Sequence, residues 1–514
     1  MKKKNLLLTL FLFLTTFCIT AQPTIEWQKS LGGANTEFAR CIQQTIDGGY
    51  IVAGQTLSND GDVTSNYGDY DYWVVKFDSI GDITWQKTFG GSNEDIAYSI
   101  QQTADEGYIV AGNSQSNDGD VSGNQGSSDF WVIKLTSAGV ITWQKTFGGY
   151  SWDVASSIQQ TLDGGYVVAG RSLSNNGDVT GNHGNEDYWV VKINSIGNIE
   201  WQKSLGGSGS EHAYSIQQTF EGGYIIAGFT LSNDGDVIGN HSSLGDFWIV
   251  KLTTIGDITW QKSLGGTGSE SANQIQQTID GGYIVVGWSD SNDGDVTGNH
   301  GGYDFWAVKL NDTGAITWQK SIGGSGWELA SSIQQTTDGG YIIAGSTTSN
   351  DGDVTGYHGG GDLWMAKLIS TGGISWQKCL GGTNSETAHF VRQTTDGGYI
   401  VTGNSQSNDG DVTSNQGVQD FWVVKLSTEV GMDEVLEQNL FNVFPNPATN
   451  QITVKVDAKL LGTIYTIYDN MGKKVLTGQI NAENTVIELG FLSGGMYLFS
   501  VGENMQQTFK VVKE

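Results

Sequence analysis

A stretch of about 58 residues recurs seven times along the chain, and this repeat restricts the folds that are open to it. Each copy carries a Trp-Gln-Lys element and a second Trp that follows Tyr, Phe or Leu and precedes a Lys by three residues. The first Trp is Trp27, Trp85, Trp143, Trp201, Trp260, Trp318 and Trp376, and the second is Trp73, Trp131, Trp189, Trp248, Trp306, Trp364 and Trp422. A fixed period of this order is typical of a solenoid, a propeller or an array, in which each unit buries its core against its neighbours.

Each repeat contains four short segments that are rich in β-branched and aromatic residues, which favours four β-strands. In the second repeat these segments are Ser99–Thr103, Gly107–Gly112, Asp129–Leu135 and Val140–Phe147. Turns that carry Gly separate them, and no segment shows the apolar spacing of a helix. Four-stranded units of this length are typical of the blades of a β-propeller.

The chain begins with the fourth strand of the repeat and ends the repeats after a third strand, and this offset favours a closed ring. The segment Ile25–Leu31 has the sequence of a lone fourth strand, and the last repeat, Glu386–Leu426, supplies only the first three strands. The N-terminal strand can therefore complete the seventh blade, whereas an open solenoid needs atypical capping repeats at both ends. We predict an all-β fold in which residues 22–428 form a seven-bladed β-propeller of four-stranded blades, closed by the N-terminal strand.

Residues 1–21 combine a Lys-rich start, an apolar core and a small residue at Ala21, which predicts a secretory signal peptide. The apolar segment Leu6–Phe17 is too short for a good membrane span, so no transmembrane segment is expected in the mature chain. Cys18 leaves a lipoprotein anchor as the alternative interpretation. Gln22 resembles the residue found at the mature end of many exported proteins of Bacteroidetes-type bacteria.

A second domain is predicted after the repeats. The period breaks at residue 429, and residues 429–440 are interpreted as a linker. Residues 441–514 form short alternating segments separated by turns, which predicts a small Ig-like β-sandwich. Four motifs of this region resemble the type IX secretion C-terminal sorting domain (subtype A): Phe444-Pro445-Asn446-Pro447, Tyr468-Asp469-x-x-Gly472-Lys473, Leu492-x-x-Gly495-x-Tyr497 and Lys510-Val511-Val512-Lys513.

The resemblance implies an export route through the periplasm of a Bacteroidetes-type bacterium. The type IX secretion machinery is the implied partner of residues 441–514, and it takes such proteins across the outer membrane. Removal of the domain, followed by release or surface attachment, completes the route. We therefore expect a secreted or cell-surface protein. The alternative is that this domain is an unrelated Ig-like adhesion module.

The composition is strongly acidic, with 55 Asp and Glu against 26 Lys and Arg and a formal net charge of −29. A negative surface of this size argues against nucleic acid and anionic membranes as partners. Lys recurs once in each Trp-Gln-Lys element and once after each second Trp. We expect these Lys side chains to be solvated at strand edges, where they discourage edge-to-edge pairing.

Three carboxylates of each repeat are expected on one face of the propeller, because the loops between strands four and one and between strands two and three emerge on the same side. The first follows the Trp of Trp-Gln-Lys by ten residues, the second ends a Ser-Asn-Asp/Asn-Gly-Asp loop, and the third precedes the aromatic-Trp pair. Repeat by repeat they are Glu37, Asp62 and Asp71; Asp95, Asp120 and Asp129; Asp153, Asp178 and Asp187; Glu211, Asp236 and Asp246; Glu270, Asp295 and Asp304; Glu328, Asp353 and Asp362; and Glu386, Asp411 and Asp420.

Two interpretations of these carboxylates stay open. Asp and Asn side chains shape tight loops through hydrogen bonds to the backbone, and Gly supplies positive φ. Alternatively, the three acids of one blade, such as Glu270, Asp295 and Asp304, bind Ca²⁺ together with backbone carbonyls of the Gly-rich loop. Calcium is the only cofactor that the sequence suggests.

The turn and strand before each Trp-Gln-Lys element, such as Leu310–Trp318, resemble the tryptophan-docking motif of quinoprotein-type propellers. The resemblance implies that the Trp of this element packs between blades. The cofactor-binding features of quinoprotein enzymes, including their vicinal Cys pair, are not evident, so the resemblance concerns the repeat alone.

Residues that depart from the repeat are the candidates for ligand binding. Trp152, Trp288 and Trp327 lie outside the two repeated Trp positions, and Trp288 and Trp327 are expected to be neighbours. Exposed aromatic side chains on a rigid rim bind sugars or fill a partner's pocket, and the alternative is local loop packing. His212 and His389 lie beside acids in the predicted loops between strands four and one, where each is a candidate ligand or acid/base residue.

We predict a binding or adhesion module for an extracellular glycan or protein. The alternative is a hydrolase or lyase that acts on extracellular polysaccharide. No partnered nucleophile is evident beside either His, and near-identical repeats are not typical of one catalytic centre.

Overall fold

The computed structural model describes residues 20–431, 441–445, 447–456, 460–469, 473–501 and 507–513. Nearly all of the predicted signal peptide, residues 1–21, and most of the predicted linker, residues 429–440, lie outside the described residues. The chain divides into two compact units, residues 1–429 and 430–514. Within these described ranges, no helix is long and apolar enough to cross a membrane.

The first unit is a β-propeller of seven four-stranded antiparallel sheets, numbered here as blades one to seven in chain order. The first strands are β3 (Glu37–Gln44), β7 (Asp95–Gln102), β11 (Asp153–Gln160), β15 (Glu211–Gln218), β19 (Glu270–Gln277), β23 (Glu328–Gln335) and β27 (Glu386–Gln393). The second strands are β4 (Tyr50–Thr56), β8 (Tyr108–Ser114), β12 (Tyr166–Ser172), β16 (Tyr224–Thr230), β20 (Tyr283–Ser289), β24 (Tyr341–Thr347) and β28 (Tyr399–Ser405). The third strands are β5 (Asp71–Phe77), β9 (Asp129–Leu135), β13 (Asp187–Ile193), β17 (Asp246–Leu252), β21 (Asp304–Leu310), β25 (Asp362–Leu368) and β29 (Asp420–Leu426). The fourth strands are β6 (Ile83–Phe89), β10 (Ile141–Phe147), β14 (Ile199–Leu205), β18 (Ile258–Leu264), β22 (Ile316–Ile322) and β26 (Ile374–Leu380), with β2 (Ile25–Leu31) in blade seven.

The core of the propeller lies between adjacent blades. The second and third strands are apolar on both faces because each blade is covered by a neighbour on either side. At the boundary of blades one and two, the ring centroids of Tyr72 and Trp131 are 4.4 Å apart. The Tyr72 hydroxyl donates a hydrogen bond to the Trp131 carbonyl oxygen at 2.9 Å. The equivalent contact is an aromatic pair at five other boundaries and Leu363 with Trp422 at the boundary of blades six and seven.

The Trp of the Trp-Gln-Lys element also packs between blades, as the resemblance to quinoprotein-type propellers implies. Trp85 of blade one meets Tyr108 of blade two edge-on, with ring centroids 5.8 Å apart. A Cβ atom on Gly139, which has a φ of +73°, would lie 2.9 Å from Trp85 Cζ3. Glycine is therefore required at this turn between strands three and four, both for its conformation and for the space that the indole fills.

The N-terminal strand is part of blade seven. β2 pairs with β29 in an antiparallel register that sets Trp27 opposite Lys425. Blade seven in turn contacts blade one, because the backbone N–H of Thr395 donates to Gln44 Oε1 at 2.9 Å. The same contact joins blades one and two, where the N–H of Ile46 donates to Gln102 Oε1 at 2.8 Å.

Six of the seven Lys residues of the third strands are buried and Lys251 is partly buried, so the expectation that they are solvated is wrong for this set. Lys76 is 4% exposed, and its Nζ lies 2.9 Å from Asp47 Oδ2 and donates to the Phe77 carbonyl oxygen at 2.8 Å. The neighbouring blades cover the aliphatic stem, and the ammonium group reaches the carboxylate of the Asp-Gly-Gly turn. Each of these Lys side chains therefore joins its strand to the first turn of its own blade.

The second unit consists of two antiparallel sheets around one apolar core. The short strands β1 (Thr20–Ala21) and β30 (Val430–Gly431) are not part of these two sheets and lie before and after the propeller in the sequence. The strands of the second unit are β31 (Phe441–Phe444), β32 (Gln451–Val456), β33 (Ile464–Tyr468), β34 (Lys474–Gln479), β35 (Asn484–Glu488), β36 (Gly495–Val501) and β37 (Gln507–Lys513). One sheet has the order β31-β32-β35 and the other β34-β33-β36-β37. Ile452, Ile467 and Phe499 meet between the two sheets, as expected for a sandwich.

Candidate functional site

Three aromatic side chains form a cluster at the boundary of blades five and six. Trp288 lies near the end of β20, Tyr303 lies just before β21, and Trp327 lies just before β23. The ring centroids of Trp288 and Tyr303 are 4.7 Å apart, and those of Tyr303 and Trp327 are 6.0 Å apart. We call these three residues the aromatic cluster. Trp327 is 60% exposed, so the cluster presents an indole to solvent.

The backbone holds the exposed indole in place. The N–H of Trp327 donates to Thr348 Oγ1 at 2.8 Å, and the N–H of Thr348 donates to the Trp327 carbonyl oxygen at 3.0 Å. A Cβ atom on Gly302 would lie 2.5 Å from Trp327 Cδ1, so the indole packs directly over this glycine. Tyr303 was missed by sequence reasoning, because the residue before the third-strand Asp varies from blade to blade and blade one has Tyr70 there.

Trp152 stands apart from the aromatic cluster. It lies just before β11 at the boundary of blades two and three, and it is 45% exposed. Its backbone forms an isolated parallel bridge with Ser128. Among the described residues, no aromatic ring stacks on its indole.

His212 lies within β15 rather than in the loop that the sequence suggests, and the side chains of Glu186, Arg171 and Tyr214 surround it. Its Nε2 is 2.6 Å from Glu186 Oε2, and its Nδ1 is 3.0 Å from Arg171 Nη1. Because a guanidinium can only donate, Nδ1 accepts from Arg171 and Nε2–H donates to Glu186. The hydrogen bond to His212 holds the pKa of Glu186 below its usual value. Both ring nitrogens of His212 are therefore occupied.

His389 also lies within a first strand, β27, and it is neutral. Asn404 Nδ2 donates a hydrogen bond to His389 Nε2 at 3.0 Å. Burial lowers the pKa of His389 to about 3. Neither candidate His contacts a nucleophilic Ser, Thr or Cys side chain in the part of the chain that the structure describes, so the geometry resembles structural His residues more than an acid/base pair.

The carboxylates pair across blade boundaries rather than within blades. Asp129 of blade two and Asp153 of blade three both lie against Gly148. A Cβ atom placed on this glycine would be 2.4 Å from Asp129 Oδ1 and 2.6 Å from Asp153 Oδ2. We call such a first-strand acid, together with the third-strand Asp of the preceding blade, a boundary pair. The seven boundary pairs are Asp71 and Asp95, Asp129 and Asp153, Asp187 and Glu211, Asp246 and Glu270, Asp304 and Glu328, Asp362 and Glu386, and Asp420 and Glu37.

The three acids proposed as the calcium site of one blade, Glu270, Asp295 and Asp304, consequently do not lie together. Glu270 and Asp304 both pair with Ser289, from opposite sides of the strand that separates them. Two strand spacings are about 9.5 Å, whereas Glu270 lies beside Asp246 of the preceding blade. Asp295 joins the same boundary, because its Oδ2 accepts a hydrogen bond from the N–H of Gly265 at 3.3 Å. Across the described ranges, no three His, Cys, Asp or Glu side chains form a ready metal-binding group.

The two members of a boundary pair have different surroundings. Asp153 is fully hydrogen-bonded, since its Oδ2 accepts from the Gly149 N–H at 2.8 Å and the Ser174 hydroxyl at 2.9 Å, and its Oδ1 accepts from Ser172. Asp129 accepts one hydrogen bond at Oδ2, from the Gln125 N–H at 2.7 Å. Its buried Oδ1 has no partner within the described part of the chain, and the same holds for Asp71, Asp187, Asp246, Asp304, Asp362 and Asp420 and, among the first-strand acids, for Asp95.

Burial without full hydrogen bonding changes the titration of the third-strand Asp residues. Burial raises the pKa of Asp71 and Asp129 to about 7, and that of Asp304 and Asp420 to about 6. A protonated carboxyl group can donate to the acid beside it, so one proton per boundary pair relieves the repulsion.

Among the described residues, a loop residue links the third-strand Asp to a loop carboxylate of the next blade at five of the seven boundaries. His300 Nδ1 lies 2.7 Å from Asp304 Oδ2, and its Nε2 lies 3.9 Å from Asp353 Oδ2 of blade six. Gln125 occupies the corresponding position in blade two, and its Nε2 donates to Asp178 Oδ2 of blade three at 2.7 Å. The loop carboxylates therefore have structural partners across the boundaries.

Comparison with known proteins identifies the second unit. Residues 442–514 match the family described as Secretion system C-terminal sorting domain. No curated protein matches the chain significantly in sequence. Among solved structures, the chain is similar to the Pan2 WD40 domain of Neurospora crassa, with 10% identity and a TM-score of 0.40 over 77% of this chain and 95% of that one.

Two bacterial structures are also similar. A protein of unknown function from Bacteroides caccae shares 13% identity, with a TM-score of 0.36 over 61% of this chain and 92% of that one. PorZ of Porphyromonas gingivalis, a surface component of the type IX secretion system, shares 11% identity, with a TM-score of 0.23 over 94% of this chain and 75% of that one. The predicted sorting domain is confirmed by the family match, and the repeats form the predicted propeller. The chain is a β-propeller protein with a type IX secretion C-terminal sorting domain, and it is exported to the cell surface or secreted.

Proposed function

We propose that the propeller is an extracellular binding module and that a glycan binds at the aromatic cluster. The exposed indole of Trp327 carries this proposal. An indole face covers the apolar face of a sugar ring, and Tyr303 and Trp288 extend the platform behind it. Export puts this surface in contact with extracellular polymers.

The rigid support of the cluster favours binding over simple loop packing. Hydrogen bonds to Thr348 fix the Trp327 backbone on both sides, so little conformational entropy is lost when a ligand binds. A protein ligand is the other outcome that the experiment below can reveal.

The proposal is tested with a glycan array, followed by calorimetric titration of the best glycan. We expect Trp327→Ala to weaken binding about tenfold, which corresponds to about 1.4 kcal/mol. Trp327→Phe should retain most of the affinity. Trp152→Ala is the matched control, because it removes an exposed indole from another blade boundary, and it should bind like the unaltered protein.

Two results would contradict the proposal. One is an array on which no glycan is retained, and the other is equal binding by the Trp327→Ala and Trp152→Ala variants. The same glycans should be checked for cleavage. Turnover by the unaltered protein that disappears in His212→Ala would replace the binding proposal with the hydrolase or lyase alternative.

A further inference from the structure

The chain contains three arginines, and all three line one cavity. Arg40, Arg171 and Arg392 face a space of about 550 Å³ that the first strands of all seven blades enclose. No Asp, Glu or Lys lines this cavity among the residues that the structure describes. A protein with a net charge of −29 therefore has a cationic interior cavity.

One of the three arginines is neutralised within the protein. Arg171 Nε lies 3.2 Å from Glu186 Oε1, and this carboxylate also accepts from His212. Arg171 therefore belongs to a local ion-pair network, and its charge is compensated.

Arg40 and Arg392 have no such compensation. Arg40 Nε donates to Gln55 Oε1 at 3.3 Å, and Arg392 Nη1 donates to the Val391 carbonyl oxygen at 2.8 Å. The Arg392 guanidinium lies 3.9 Å from the centre of the Phe390 ring. In the described ranges neither arginine forms an ion pair with a carboxylate. Burial lowers the pKa of both, that of Arg392 to about 10, because a buried cation loses part of its hydration.

Arg392 also replaces a residue that the repeat uses for contact between blades. The other six blades have Gln at this position, namely Gln43, Gln101, Gln159, Gln217, Gln276 and Gln334. The side-chain oxygen of Gln43 accepts a hydrogen bond from the Gln102 N–H of the next blade at 2.6 Å, and the other five do the same. A guanidinium cannot accept this bond from Gln44. Arg at this position therefore gives up the contact between blades that Gln makes at the six equivalent positions.

We propose that the cavity binds a small anionic ligand, with Arg40 and Arg392 as the partners of its charged group. The two guanidinium groups offer several N–H donors to a carboxylate, phosphate or sulfate. Ser99, Asn273 and Gln274 add hydroxyl and amide groups, and Tyr98 adds an aromatic face. This lining fits an acidic sugar better than a bare ion. The proposal is independent of the aromatic cluster, which does not line the cavity.

The experiment is calorimetric titration of the full mature protein with glucuronate, with inorganic phosphate and with neutral glucose. We expect saturable binding of glucuronate at one site per chain and none of glucose. The variant Arg40→Ser/Arg392→Gln should weaken that binding at least about tenfold. Its melting temperature should be unchanged or higher, because Ser and Gln are the residues that other blades carry at these positions and Gln can accept from Gln44.

Controls separate the cavity from other sites. Lys29→Gln removes a positive charge outside the cavity and should leave glucuronate binding unchanged. Binding of phosphate without glucuronate would retain the anion site and reject the sugar class. Failure of both anions to bind, or equal binding by the double Arg variant, would overturn the proposal.

Discussion

At the scale of single residues, the third-strand Asp residues are the least expected feature of the molecule. Their positions in the repeat are plain from the sequence, and so is their place on one face. The acids that lie beside them cannot be identified from the sequence, because sequence spacing relates residues within a blade, whereas the boundary pairs depend on how one blade packs on the next. Asp129 and Asp153 belong to different sheets and still share the space above Gly148.

These residues predict a stability that falls as the pH rises. An aspartate of the unfolded chain titrates near pH 3.9, and burial raises the pKa of Asp129 to about 7. Between these values the folded state binds the additional proton, so its stabilising effect is complete at low pH and is lost as the pH rises through about 7. We expect a lower melting temperature at pH 8 than at pH 5. The exposed turn carboxylate of Asp47 does not disturb this window, because, against partial desolvation, hydrogen bonds from Thr45 and Lys76 hold its pKa at about 2.

Asp129→Asn tests this origin. The amide oxygen can still accept from the Gln125 N–H, and the amide nitrogen can donate to Asp153, so the variant imitates the protonated form. It should be more stable than the unaltered protein at pH 8, by on the order of 1 kcal/mol, and similar to it at pH 5. Asp118→Asn, in an exposed loop, should change neither value. A uniform destabilisation by Asp129→Asn at both pH values would show that the pair does not share a proton.

At the scale of elements, the sequence predicts the strands well because their composition and turns repeat seven times. The lone strand Ile25–Leu31 was recognised by its Trp-Gln-Lys element and pairs with β29 as expected. The burial of Lys76 and its equivalents was not predictable from one strand, since it depends on cover from both neighbouring blades. A register shift between Ala39 and Cys41 in β3 likewise interrupts strand alternation. For this reason, the first-strand side chains that face the cavity, such as Arg40, could not be deduced from simple alternation.

Deletion of Thr24–Leu31 tests the role of the N-terminal strand. It would leave β29 with an unpaired edge and remove Trp27, whose ring lies 5.6 Å from that of Tyr50 in blade one. We expect a large drop in melting temperature and aggregation that increases with protein concentration. Addition of a synthetic peptide of residues 24–31 should restore part of the lost stability, and deletion of Gln22 and Pro23 alone should have little effect. Unchanged thermal unfolding of the truncated protein would indicate an open array instead.

At the scale of the whole molecule, seven similar boundaries surround one cavity whose lining is not repeated. The repeats explain why the fold was predictable, whereas the functional candidates are departures from the repeat. Trp288 and Trp327 were found in this way because 14 of the 17 Trp residues occupy the two repeated positions and leave three outside them. The arginines are rarer, with three in 514 residues, but nothing in their spacing shows that one cavity collects them.

The acidic boundaries lead to the last prediction, that calcium stabilises the folded propeller. At the boundary of blades four and five, Asp246 Oδ1 is buried without a hydrogen-bond partner in the described residues, beside Glu270 and near Asp295. A Ca²⁺ ion would supply the positive charge that a proton supplies at lower pH, with water and loop carbonyls as further ligands.

Binding to the folded state alone adds about 1.4 kcal/mol per site at ten times the dissociation constant. We expect millimolar Ca²⁺ to raise the melting temperature at pH 8, with reversal by a chelator, and to have a smaller effect at pH 5, where protons occupy the same carboxylates. Asp246→Asn/Asp295→Asn should reduce the Ca²⁺-dependent rise in melting temperature by the contribution of one boundary. Asp293→Asn, in an exposed loop position, should leave this rise unchanged. If titration shows no saturable uptake of Ca²⁺ and a chelator does not change the melting temperature at pH 8, protons and loop hydrogen bonds alone relieve the repulsion between the boundary carboxylates.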